Sequence, residues 1–108
     1  MDRSLLYQRL GMNSAALERF CALWKITELA VFGSILRDDF RTESDLDLLI
    51  TFAADAPWSL WDFIAMKQEF ERLAGRSADL IEKSALRNPY LRHEVLRTQE
   101  VIYASSAA

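Results

Sequence analysis

Asp45 and Asp47 stand two positions apart at the head of an apolar run ending at Phe52, and Gly33-Ser34 closes the preceding apolar run, with ten residues between. Side chains alternate along a strand, so Asp45 and Asp47 would share one face while Leu46, Leu48, Ile50 and Phe52 fill the other. Carboxylates so placed are roughly 6–7 Å apart and repel by about 2–3 kcal/mol at an effective dielectric of about 20. A divalent cation reverses the sign of that interaction. Mg²⁺ favours one or two protein carboxylates completed by water and substrate phosphates, so the pair suits phosphoryl or nucleotidyl transfer. A lone Asp-x-Asp is more often two solvated acids at the start of a strand, and the neighbouring residues must decide.

Two neighbours add chemistry. Gly33 can take a backbone geometry closed to other residues and let a phosphate approach the main chain, while Ser34 supplies a hydroxyl; by themselves they read as a turn. Asp79 lies inside a short β-prone run, where an acid needs a reason. If that run pairs with the strand carrying Asp47, Asp79 becomes a third carboxylate, able to take a proton from an attacking hydroxyl or to complete a metal shell. The alternative is a strand-edge or capping aspartate. His93, the single histidine, sits between Arg92 and Glu94 with no second histidine or cysteine near it in sequence, and reads as a surface or interface residue. Cys21 is the single cysteine and has no cluster of bases around it, so it reads as a buried, unreactive thiol.

The elements that must position these residues follow from periodicity. Asn13-Ser14 offers a cap, and Leu17, Phe20, Cys21 and Trp24 recur at helical spacing, which predicts a helix over residues 14–25. Residues 26–32 form a β-prone run ended by Gly33, and a short helix can start at Ser34 and reach Asp39. Residues 46–52 read as the second strand. Pro57 suits the first turn of a long helix reaching Ala74, with Leu60, Phe63, Ile64, Lys67, Phe70 and Leu73 as its core stripe and Gly75 as terminator. Trp58, Trp61 and Met66 widen that apolar surface, which leaves room for an exposed aromatic patch facing a partner. A third strand is expected over 77–82 and a last helix from Asn88-Pro89 to about Thr98, after which Val101 to Tyr103 pack back on the domain. The expectation is an α/β sandwich of three strands with helices between them that cover at least one face of the sheet, parallel or mixed, in a single domain over residues 1–108 with 1–12 and 104–108 frayed.

Composition sets the frame. An apolar fraction of 51% with 27% charged residues is that of a globular protein with one core. Thirteen basic against sixteen acidic residues give a net charge of −3, which argues against a general binder of nucleic-acid backbone. One cysteine excludes an intrachain disulfide, and no segment resembles a signal peptide or a membrane span, so a cytoplasmic protein without membrane association is expected.

Gly33-Ser34, Asp45-Leu46-Asp47 and Asp79, carried on three consecutive expected strands, resemble the nucleotidyltransferase superfamily of the DNA polymerase β type. The chain as a whole, through VFGSILRDDF, SDLDLLITF, ADLIEK and LRNPYLRHEVLRTQEVIY, resembles the minimal nucleotidyltransferase (MNT) antitoxins encoded beside HEPN-domain ribonuclease toxins. The resemblance implies the nucleotidyltransferase fold, a three-stranded mixed sheet flanked by about four helices; it also implies that Gly33 and Ser34 hold nucleotide phosphates, that Asp45 and Asp47 bind Mg²⁺, and that Asp79 is the third catalytic acid and completes the metal site. Arg37 would meet a phosphate or the protein target, or remain a solvated arginine. It further implies transfer of AMP from ATP to a tyrosine hydroxyl of the paired toxin, in a hetero-oligomer with it. Larger relatives carry a second domain over the base and acceptor, so the expected site is open and completed by the partner. Two other readings stay in view: an antitoxin that neutralises by occlusion alone, and transfer to a small molecule. Arg87 and His93 match the Arg-x(4–6)-His spacing of the HEPN toxins themselves, here without their all-helical setting, and are read as coincidence.

Overall fold

The computed structural model describes residues 1–105. Its centre is β1 (Ile26–Phe32), which pairs antiparallel with β2 (Leu46–Phe52) on one side and with β4 (Glu100–Ala104) on the other; β3 (Ala78–Glu82) extends the sheet by pairing parallel to β2. The order is β3-β2-β1-β4. The sheet is mixed, as expected, but has four strands rather than three. Residues 101–103 do return to the domain, and they do so as a strand, because β1 would otherwise leave its outer row of backbone groups unpaired. Ser105 N–H continues this edge by donating to the Thr27 carbonyl at 2.8 Å, so Ala104 and Ser105 are tied down, and residues 106–108 of the expected frayed tail lie outside the described residues.

One face of the sheet carries Leu29, Val31, Leu46, Leu48, Ile50 and Leu80 into the main core, as the alternation requires. Three helices contribute to that core: α1 (Arg3–Leu10), α2 (Ser14–Leu23) and α3 (Leu60–Ala74). The opposite face carries Ala30 and Leu49, covered by Leu86 and by Val95 of α4 (Pro89–Thr98). The acids belong to this second, more thinly covered face.

Three local expectations are corrected. Within residues 1–12, α1 is an ordered helix: Asp2 caps it, Gly11 ends it at φ +82°, and Leu6 and Leu10 are fully buried. A Cβ at Gly11 would collide with the Ala74 carbonyl, so the glycine lets the end of α1 meet the end of α3. The long helix begins at Leu60 rather than near Pro57, because Ser59 and Asp62 close a reciprocal capping box. Its buried residues are Met66 and Phe70, with Phe63, Leu73 and Ala74 partly buried against the core, whereas Leu60 and Trp61 are 73% and 78% exposed and Ile64 is also exposed. The apolar stripe is thus rotated from the one the spacing suggested. Trp58 does belong to the core, its indole N–H donating to the Trp24 carbonyl at 2.7 Å and its ring packing edge-on to Trp24 at 5.1 Å.

Candidate active site

Pairing register brings the distant acids together. Leu46 N–H donates to the Ser77 carbonyl at 2.9 Å, which starts the parallel ladder and sets Asp47 opposite Asp79. On its other side Asp47 faces Phe32, the last residue of β1. Immediately beyond it, Gly33 turns at φ +77° into a short 3-10 turn, Gly33–Leu36. A Cβ at Gly33 would collide with the Asp47 Oδ2, so the turn and the carboxylate lie against one another because this residue has no side chain. Ser34 is half-buried in that turn, and its carbonyl accepts from Arg37 N–H at 2.9 Å.

Asp45 stands exposed just before β2, Asp79 is exposed on β3, and Asp47 is half-buried between them. Burial pushes the Asp47 carboxyl above its ordinary range, the negative charges of Asp79 and Asp45 push it further, and the Arg37 guanidinium opposes them. The three acids therefore share one electrostatic environment, with Asp47 at its centre. Arg37 is exposed and pairs with Asp39 at 3.1 Å, close enough to act on Asp47 through its field. Among the described residues no three His, Cys, Asp or Glu side chains already converge as a metal cage. A Mg²⁺ ion needs only one or two carboxylates, with the remainder from water and phosphates, and the crowding of negative charge at Asp47 is the donor chemistry such an ion relieves.

The loop from the 3-10 turn to Asp45 is fastened by residues without local sequence signal. Arg9 of α1 donates to the carbonyls of Ile35 and Arg37 at 2.8 and 2.6 Å. Arg76 donates to those of Arg41 and Ser44 at 2.9 and 3.2 Å. Both guanidinium groups lie over the Phe40 ring, 5.3 and 4.4 Å from its centroid. This arginine-phenylalanine-arginine clamp holds both ends of the segment linking Ser34 to Asp45. Its members come from three parts of the chain, and only their convergence reveals it.

His93 is exposed on α4. Cys21 is buried in the main core, and burial pushes its thiol up to about 12, so it stays a neutral, packed group at neutral pH.

The family profile for the nucleotidyltransferase domain matches residues 14–100. The chain belongs to this family. Among relatives of the nucleotidyltransferase, the protein adenylyltransferase MntA of Thermococcus cleftensis is 38% identical over 78 residues, which cover 72% of this chain and 74% of the relative. A solved structure assigned to the minimal nucleotidyltransferases has a TM-score of 0.68 and 34% identity, covering 93% of this chain and 95% of that one. A toxin-antitoxin structure with AMP-PNP reaches a TM-score of 0.70 over 88% of this chain and 76% of that one; at 14% identity it shows a shared fold. The enzyme is thus a nucleotidyltransferase of the minimal type, and its family match begins after α1.

Proposed function

We propose that this nucleotidyltransferase is an antitoxin that transfers AMP from ATP to a tyrosine hydroxyl of a cognate HEPN ribonuclease toxin in the cytoplasm. The observation that carries the chemistry is the pairing of Asp47 with Asp79 across a parallel ladder, beside a glycine turn that abuts the same carboxylate. The name of the protein adenylyltransferase relative supports AMP as the transferred group and a protein as its acceptor, and the toxin-antitoxin assembly of the same fold fits a toxin as that protein.

In this reading the backbone of Gly33 and the hydroxyl of Ser34 receive the triphosphate, with Arg37 within reach of its charge. Asp45 and Asp47, with Asp79 beside them, would hold Mg²⁺, which when bound supplies positive charge to the phosphates and to the departing pyrophosphate. The acceptor hydroxyl oxygen bonds to the α-phosphorus, the bond from that phosphorus to the bridging oxygen breaks, and pyrophosphate leaves. Asp79, exposed on the far side of Asp47 from the glycine turn, takes the hydroxyl proton.

Intact-mass analysis of the toxin after incubation with this protein, ATP and Mg²⁺ tests the proposal. The expected result is a nucleotide-sized gain that Asp47→Asn removes. Full neutralisation of the toxin by Asp47→Asn, with no mass gain from the unaltered protein, would show that occlusion suffices and overturn the catalytic reading.

A further inference from the structure

We propose that the cavity between the Gly33–Leu36 turn and α4 receives the nucleoside of the bound nucleotide, an inference that rests on the nucleotidyl-transfer reading above. The cavity is about 510 Å³, within the range that encloses small-molecule ligands. Gly33 and Arg37 are among the residues that line it, so it adjoins the turn assigned to the phosphates. Its walls are apolar, from Leu36 on the turn and from Leu91 and Val95 on α4. Glu94 and Thr98 of α4 add polar groups to the lining.

This lining combines the chemistries a nucleotide needs: a cation and a backbone turn for phosphate, an apolar surface for a flat base, and oxygen acceptors for amino or hydroxyl donors. The acceptors are held in place. Arg97 grips Glu94 through both carboxylate oxygens at 2.8 and 2.9 Å, and the Thr98 hydroxyl donates to the Glu94 carbonyl at 2.8 Å, which leaves its own lone pairs to accept. Leu91 supplies a second argument. It lies outside the small core that Val95 and Leu86 build on this face, and it remains 52% exposed at the cavity wall. A base laid against it would bury surface that the fold itself leaves uncovered.

The test is an NMR titration of the isotope-labelled protein with ATP and, separately, with inorganic tripolyphosphate, each to about 10 mM with Mg²⁺ so that binding near the weak limit is still seen. Both ligands should shift the amides of Gly33 and Ser34, and only ATP should shift those of Leu91, Glu94 and Val95. Leu91→Gln, at an exposed position that folding does not depend on, should weaken ATP by about five- to tenfold and leave tripolyphosphate unchanged. ATP that shifts the glycine turn but not α4, or an affinity that Leu91→Gln leaves intact, overturns the nucleoside assignment alone. An intact ATP affinity combined with lost transfer to the toxin would assign the cavity to the acceptor instead. Absence of shifts at Gly33 and Ser34 with either ligand overturns the transfer reading and this inference with it.

Discussion

At Gly33 the backbone occupies the left-handed region, and the space a methyl group would need is taken by the Asp47 carboxylate. Gly33→Ala should therefore act twice, through backbone strain and by displacing Asp47. We expect a stability loss of about 1–3 kcal/mol in urea denaturation and loss of AMP transfer from labelled ATP. Asp47 itself is held in tension: burial and two like charges raise its folded pKa above the unfolded value. The folded state then binds its proton more tightly than the unfolded state does, so the ionised group lowers stability as pH rises from the unfolded carboxylate range through the folded pKa. Asp47→Asn should accordingly melt above the unaltered protein at neutral pH without divalent ions. That advantage should vanish below the unfolded carboxylate pKa. A calorimetric pH series in which the difference is flat or inverted would contradict it. These two residues were legible in the sequence as candidates for one site, because a Gly-Ser turn and an Asp-x-Asp pair are local patterns. Their collision distance was not, since it depends on which strands pair.

Among the elements, β1, β2 and α4 were readable to their bounds, since each is a short apolar run or periodic stretch with a strong stop: Gly33 for β1, Asn88-Pro89 for the start of α4. The helix α1 was missed because only Leu6 and Leu10 carry its burial, too little for a periodic signal over eight residues. The misjudged stripe on α3 has a related cause. Its apolar residues nearly encircle the first turns, so periodicity permits several rotations, and packing of Met66 and Phe70 against the sheet selects one. The α1 helix also reaches the site through Arg9. Arg9→Ala removes two charge-assisted hydrogen bonds to the Ile35 and Arg37 carbonyls and should cost about 1–2 kcal/mol. Amide exchange should quicken at Leu36 and Arg37, while exchange in β3 stays slow. Uniform acceleration across the molecule would mean that Arg9 supports the fold in general and not this loop.

For the molecule as a whole, the exposure of Asp45 and Asp79 has a consequence for affinity. The glycine turn and Asp47 are sheltered, but the outer acids face solvent, so in the proposed site charge attraction to nucleotide and metal would be screened on the acceptor side. A docked toxin would exclude that water and strengthen every electrostatic contact within the site. Titration calorimetry with ATP and Mg²⁺ should therefore give an affinity at least about tenfold higher for the complex, trapped with the proposed acceptor tyrosine changed to phenylalanine, than for the free protein. Equal affinities would contradict a site completed by its partner.

The sequence by itself determined the inventory: a phosphate-compatible turn, a carboxylate pair, a third acid on a later strand, and an α/β alternation able to carry them. These are properties of neighbours along the chain, set by side-chain alternation and by residues that permit or stop local structure. Only the tertiary structure decided that Asp79 faces Asp47, that β4 seals the edge of β1, and that Arg9 and Arg76 fasten the loop around Phe40. Each depends on register or on contact between distant segments, and such energies exist only once the core has closed and fixed which segments meet.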